Sequence, residues 1–482
     1  MNAFRVPGLV VVIGLIVGAL VIDGSQAVDT IEVAELISPV PVVSNEQARS
    51  STWFCAGATG DDRGGANGLV VLSNTTLAAK TAVVSVFFGE RELREVVLPI
   101  EPQSSIDLRL TDLAPDSPLI SIAAEIDGGG VFVEKVVSGP TGVDRSACET
   151  EGSADWLVTS GATIPGGRFQ LAIFNPFPDD AVVDVTFITE VGLREPQELN
   201  GLHIPSKSSK LVEVADFVAA AETISTFVNA RSGRVVIDGI QTFDGTGDPL
   251  GLSVIPGVAA PAETWVFPGI SPAIGPAQLV VVNPSDVLIR VDVEVYPAGR
   301  ERFVEPFVLT LPRGQQSIVP ILSDGRLVDI DSFTLVVRSF DGPRIVAGME
   351  QRPEVDESAL AEIIDDVEAP RTGFAASPGQ ARASTELFTS VSINADDSRS
   401  ALHLFNPAED NIVLVEATVI SDGASRMTEF EVGSQRTARI PIADLGSGEF
   451  TVHLRSTGPI YGSREITGLS SRSWAPLLPL EG

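Results

Sequence analysis

The chain is poor in the side chains that most often carry chemistry. Among 482 residues there are three histidines (His203, His403 and His453), two cysteines (Cys55 and Cys148) and four lysines, and aromatic residues make up 6%. No Gly-x-Ser-x-Gly elbow, no His-Glu-x-x-His and no Gly-x-x-x-x-Gly-Lys-Ser/Thr loop occurs. The local signatures of α/β-hydrolases, zinc peptidases and P-loop nucleotidases are therefore missing. A Ser-His-Asp triad is assembled in space rather than in sequence, but three histidines and no elbow give it little to start from. A basic stripe is missing too. The formal net charge is −32 and the pI about 4.3, which argues against nucleic acid and against docking on anionic lipid. No catalytic, cofactor-binding or metal-ligating residue is assigned, no cofactor is expected, and the chain does not read as an enzyme.

What is present is apolar residue, glycine and proline. Hydrophobic residues make up 44%, with 44 Gly and 33 Pro, a composition that favours many strands and turns. The length suits three or four domains. The N-terminus carries Arg5 and then an uncharged run, Val6–Ile22, which would span roughly 25 Å as a helix. That is short for a membrane span and long for a signal-peptide core. Ser25-Gln26-Ala27 offers a fair cleavage site after Ala27. Both a cleaved signal peptide and a signal anchor fit; the length of the run favours the anchor. Acidic residues follow it, so the body is expected outside the cytoplasm, anchored in the cell membrane by one span or, alternatively, secreted. Two cysteines in an exported chain suggest a disulfide, with a pair of buried thiols as the alternative.

The chain repeats itself. Segments starting at Trp53, Trp156, Trp265 and Leu387 share one plan: an aromatic-led strand, an apolar strand ending in asparagine, and an alternating strand. The aligned asparagines are Asn74, Asn175, Asn283 and Asn406, the last three followed by Pro176, Pro284 and Pro407. In "IRVDVEVYP", alternation gives one wet and one dry strand face. Proline lacks a donor and biases the residue before it away from helix, so each Asn-Pro pair reads as the end of a strand. Gly-Pro or Ser-Gly turns near the end of each repeat read as hairpins. About seven strands per hundred residues, four times over, match all-β, immunoglobulin-like or fibronectin-III-like β-sandwiches. A β-propeller is the alternative, but its blades are half this period or less.

The phrases "GLSVIPGVAAPAETW", Trp265-Val266-Phe267-Pro268-Gly269 and Asn283-Pro284 resemble the Trp-aromatic…Asn-Pro immunoglobulin-like repeats of bacterial surface proteins. Over about residues 50–470, the chain resembles an uncharacterised family of exported, membrane-anchored proteins of actinobacterial type. The resemblance implies envelope-located sandwiches and supplies no catalytic residue. The expected organisation is an anchor or signal peptide at 1–27 and a linker at 28–50, followed by sandwiches at 51–150 (with the disulfide), 151–260 and 261–352. An acidic helical linker at 353–383 and a fourth sandwich at 384–482 complete it. Trp53, Trp156, Trp265, the asparagines and the cysteines are expected to be structural.

Three further features invite a functional reading. "PEVDESALAEIIDDVEAP" places Ala359, Leu360, Ile363, Ile364 and Val367 at helical spacing among acidic residues, as a packed helix or a docking element for a basic partner or cation. Asp61-Asp62, Asp244, Asp248 and Asp396-Asp397 sit in loops, where turn chemistry explains them better than calcium. His403 and His453 read as surface residues on strands. The function expected is non-enzymatic display of sandwich domains toward an envelope protein or glycan, with membrane attachment through the N-terminal helix. The alternative is an accessory or carbohydrate-binding component of envelope polysaccharide synthesis, which exposed aromatics would favour.

Overall fold

The computed structural model describes residues 38–481 apart from 61–64, 90–91, 247–248, 272–275, 299–303, 322–324, 328–329, 331, 341, 353–372, 394–398, 422 and 469–471. The expected anchor, the acidic helix and the aspartates at 61–62, 248 and 396–397 lie outside the described residues. Among those described, no helix is long and apolar enough to cross a membrane.

The first domain shows the plan. Its strands are β1 (Ser50–Ala58), β2 (Asn67–Asn74), β3 (Lys80–Phe88), β4 (Glu92–Ile100), β5 (Ser104–Arg109), β6 (Ile120–Asp127), β7 (Val131–Gly139) and β8 (Gly142–Ala147). One sheet has the order β1-β6-β3-β4 and the other β5-β2-β7-β8. This is a sandwich of eight strands rather than seven, and not a propeller; the plan recurs through four domains, with the counterpart of β4 split in the second into Gly192–Arg194 and Leu202–Ile204. Alternation is realised in β3, where Ala82, Val84 and Val86 are buried and Thr81 and Val83 exposed. By contrast β2 and its counterparts "FQLAIFN", "AQLVVV" and "ALHLFN" are buried along nearly their whole length. Such runs mark strands covered on both faces, here by the domain's own core and by the neighbouring domain.

The glycine-rich corner after β6 is not a hairpin. β6 pairs with β1 and β3, whereas β7 pairs with β2 and β8, so Gly128–Gly130 carries the chain from one sheet to the other. In the fourth domain one strand, Gly448–Thr467, runs unbroken through Gly458-Pro459 and serves both sheets.

The domains do not form an extended array. The first sheet of each packs on the second sheet of the next, and the fourth on the first. The ring closes around four last strands, β8, Leu250–Pro256, Ala375–Pro378 and Arg472–Pro476, each packed on the next and the last on β8. Hydrogen bonds run around them. The Asp144 carboxylate accepts from Ser253 Oγ (2.8 Å) and Val254 N–H (2.7 Å), and Ser253 Oγ accepts from Ala376 N–H at 3.1 Å. The Gln380 amide donates to the Leu477 carbonyl at 3.1 Å, and Ser473 Oγ donates to the Arg145 carbonyl at 3.4 Å. The segments at Val43 and at Pro479–Glu481 complete the closure: Val43 N–H donates to Pro479 O and Glu481 N–H to Val43 O, both at 2.8 Å. Residues expected to be a free linker thus belong to the ring.

Candidate functional site

The aligned tryptophans are structural: Trp53, Trp156 and Trp265 are each 0% exposed. The indole N–H of Trp156 donates to Val235 O and that of Trp265 to Ile345 O, both at 2.8 Å. In the fourth domain Leu387 fills the place, and Trp474 instead stacks on Phe267 of the third domain with ring centres 5.9 Å apart.

The asparagines do more than end a strand. Asn175 Nδ2 donates to the carbonyls of Asp179, Ile204 and Pro205, and Asn283 Nδ2 to those of Val287, Leu311 and Pro312. Asn74 and Asn406 repeat the clamp. Each Oδ1 also accepts the N–H two residues on. Asn74 does this without a following proline, so the conserved part of the device is the amide; Pro176, Pro284 and Pro407 merely accompany it.

Cys55 and Cys148 form a disulfide, with Cα atoms 4.7 Å apart. Cys55 lies within β1. The bond joins the first sheet to the segment after β8, where Phe54 and Glu149 pair as a short bridge. The same crossing recurs at Leu157–Val258, Val266–Gln380 and Phe388–Leu478.

The seams between domains hold the buried charge. Three residues before each clamp asparagine, the strand pairs with Glu134, Asp238, Gly348 and Ser463 in the four domains. Each of these meets the opening strand of the preceding domain around the ring. Ala56 N–H donates to Asp238 at 3.1 Å, and Ser390 N–H to Glu134 at 2.9 Å. Between the third and fourth domains the opening-strand residue is Pro268, which has no N–H to give. There the partner is a donor instead: the Ser463 hydroxyl bonds the Pro268 carbonyl at 2.8 Å. Between the second and third the partner is Gly348, where a Cβ would overlap Thr159.

The next residue along these strands is Lys135, Gly239, Met349 or Arg464. Lys135 crosses to Asp238, and Arg464 crosses to Glu134 at 2.8 Å. Arg145 lies 3.8 Å from Glu134 and bonds Ser390. Burial alone would raise the Glu134 carboxyl, but Arg464, Arg145 and Ser390 hold it below the ordinary range.

Clefts open outward from three seams. The one between the first and fourth domains has a volume of about 350 Å³ and is lined by Asp107, Arg145, Glu449 and several serines. Burial, and then the nearby Glu449 carboxylate, push Asp107 up, partly offset by Arg145. Such a size suits a small ligand. The open grooves between the first and second and between the second and third domains measure about 680 and 850 Å³. Among the described residues no group of His, Cys, Asp and Glu is placed to hold a metal.

The histidines depart from expectation. His403 and His453 are buried, not surface residues, and do not meet. His403 pairs with Glu465 at 3.1 Å. His453 pairs with Glu386 at 2.7 Å and stacks on Phe388. His203 is exposed and pairs with Asp180 at 2.9 Å.

Comparison with known proteins gives a family but no activity. A family model described as a family of unknown function (DUF5719) matches residues 42–198 and again 139–324. The two matches start about one domain apart and together span more than half of the chain, which therefore belongs to this family. No curated protein matches it. Among solved structures, a tetra-tandem repeat from the extending region of a large adhesion protein is 11% identical, covering 90% of this chain and 100% of its own, with a TM-score of 0.11. The α-L-rhamnosidase of Streptomyces avermitilis, complexed with L-rhamnose, is 8% identical, covering 73% and 47%, with a TM-score of 0.14. At these TM-scores neither match bears on fold or function.

Proposed function

We propose that the chain is a non-enzymatic scaffold of the cell envelope, held outside the cytoplasm, whose rigid four-domain ring presents its rim loops and seam grooves to an envelope protein. The closed ring carries this reading. Clamped corners, ion-paired seams and the pairing of Val43 with Pro479 and Glu481 fix the exposed loops relative to one another, which lowers the entropy cost of binding a partner over several domains at once. The Cys55–Cys148 disulfide supports an oxidising compartment. Membrane attachment through Val6–Ile22 and the exported, actinobacterial-type character of the family belong to the same reading.

The buried Trp156 and Trp265 count against stacking on sugar rings. The acid-and-arginine cleft between the first and fourth domains supports a second reading, an accessory carbohydrate-binding component of envelope polysaccharide synthesis. Protease shaving of intact cells, followed by affinity capture from intact envelopes with the exported portion as bait, separates these. An accessible body that retains a specific envelope protein supports the scaffold. A protease-protected body, or clean binding to purified wall glycan with no protein retained, would overturn it.

A further inference from the structure

We infer that the first two domains become joined covalently, by an amide bond between the Lys135 side chain and the Asp238 carboxyl. Of the four lysines, only Lys135 is buried; it and Asp238 are 1% and 2% exposed. Lys135 Nζ donates to Asp238 Oδ2 and to the Ala56 carbonyl. The amine nitrogen thus touches an oxygen of the carboxyl whose carbon it would attack. The Ala56 N–H donates to the same Oδ2 at 3.1 Å, so the backbone of one residue holds both partners. A third group belongs to the site. Glu149 pairs with Phe54, two residues before Ala56, and is itself buried. Among the described residues its Oε1 has no hydrogen-bond partner. Burial, and then Asp238, push its carboxyl well up, with Lys135 opposing. Glu149 therefore feels both partners and holds a proton beside them.

The seam between the fourth and first domains shows that this set is not simply a way to bury charge. There Arg464 crosses to Glu134, and Leu478 stands opposite Phe388 as Glu149 stands opposite Phe54. A guanidinium keeps its proton and offers no nucleophile, so that seam stays an ion pair. Lysine gives up its proton readily when buried. Lysine, aspartate and a third carboxyl meet in one seam of the four.

The chemistry balances without a co-reactant. The chain folds in the ion-paired form, because only the closed seam brings the partners together. One proton then passes from the ammonium to the carboxylate, leaving a neutral amine against a neutral acid. Burial, opposed by Lys135, already raises the Asp238 carboxyl. Nζ adds to Cγ and the C–N bond forms. The developing negative charge falls on the oxygen that the Ala56 N–H holds, as in other acyl transfers. Glu149 gives its proton to the second oxygen and takes one from Nζ, a general acid and base in one group. That C–O bond breaks and the hydroxyl leaves as water. One amide and one water form, nothing is oxidised or reduced, and the net charge is unchanged. Groups held in contact react as if far more concentrated than free solutes, and a buried site keeps water from reversing the bond.

Tryptic mapping of the full chain by mass spectrometry, after folding and then denaturation, tests this. The amide is expected to block cleavage after Lys135 and to join the peptide 110–145 to the peptide 235–290. The branched product is expected to be lighter than the two together by one water. It should survive reduction, since neither peptide contains a cysteine. Glu149→Gln is expected to leave Lys135 cleavable and the two peptides separate. Complete cleavage after Lys135 in the wild type, with no branched peptide, would overturn the proposal. An unchanged yield of the branched peptide in Glu149→Gln would overturn the role given to Glu149. The wild-type map decides whether the bond exists even where the variant fails to fold.

Discussion

At two of the four seams the matched strand positions hold a buried acid and cation and at the other two they do not, although all four share one strand register. Where the first domain meets the second, and the fourth meets the first, a carboxylate caps an opening-strand N–H and a cation crosses the seam to it. At the other two the same pair of positions reads Gly239 with Gly348 and Met349 with Ser463. Acid and cation are thus present together or absent together. A buried ion pair adds little net stability over an apolar replacement, but removing one partner is costly. The difference between the seams teaches that these positions are specified as pairs. It also suggests a use for the charge: both ionic seams involve the first domain, so the charge helps fix which neighbours that domain accepts around the ring.

The sharpest way to break the comparison is to strand the cations. Glu134→Gln leaves Arg464 and Arg145 buried against a neutral amide and is expected to cost about 3–5 kcal/mol, read by chemical denaturation. Met349→Leu, at the matching cation position of an uncharged seam, is expected to cost less than about 1.5 kcal/mol. Similar losses for the two would mean that charge does not set the seams apart.

The seams also respond to pH with opposite sign. Glu350 is fully buried in the third domain beside Arg352, at 2.8 Å, and Arg352 reaches the Glu222 carbonyl of the second domain. Burial raises the Glu350 carboxyl to about 7 from 4.5, with Arg352 opposing. The folded chain therefore binds this proton more tightly than the unfolded chain does. Its contribution is full below about pH 4.5 and is lost as pH rises toward 7, about 3 kcal/mol in all. Glu134, held low, contributes in the opposite direction: its stabilisation is present above the ordinary carboxylate range and lost as pH falls through its depressed value. Glu350→Gln is expected to flatten the fall between pH 4.5 and 7 in denaturation midpoints. An unchanged slope would remove Glu350 from the account.

Much of this architecture was legible in the sequence, and the rest was hidden for physical reasons. Alternation in "IRVDVEVYP" and a period near one hundred residues reported sandwiches, because half-buried strands have a two-residue period. The ring left a trace as well, in runs such as "FQLAIFN" that have no exposed face, but such a run does not say which neighbour covers it. The seam pairs were invisible, since Lys135 and Asp238 lie a whole domain apart in sequence and only register brings them together. His403 and His453 were misjudged because a lone histidine on a strand carries no mark of the glutamate that will face it. The Gly458-Pro459 turn was misread because the same dipeptide suits a tight hairpin and a strand that changes sheets.

A smaller effect probes the second–third seam, which lacks the matched acid and cation, from the inside. Gly348 faces Thr159 so closely that a Cβ would overlap the threonine side chain. Gly348→Ala is expected to cost about 1–3 kcal/mol through overpacking. Adding Thr159→Ala should restore part of it, because the closest atom, Thr159 Oγ1, leaves while the Cβ at 2.9 Å stays. If the second substitution restores nothing, the glycine is required by its backbone and not by the seam.

A paired exchange, small in net effect, carries the most information. Lys135→Met with Asp238→Ser places the pair from the third–fourth seam into the first–second seam. Each substitution alone strands a buried charge and should cost about 3–5 kcal/mol. Together they remove both charges, and the new serine hydroxyl can donate to the Ala56 carbonyl as Ser463 does to Pro268. What remains unmet is the Ala56 N–H, which Pro268 lacks, so the double variant should fall within about 1–3 kcal/mol of wild type. A double-mutant cycle then reports a coupling of several kcal/mol between two residues 103 positions apart, where unconnected sites add to within about 0.5 kcal/mol. Simple additivity would show that the two positions are chosen independently, and the reading of the seams as matched pairs would fall with it.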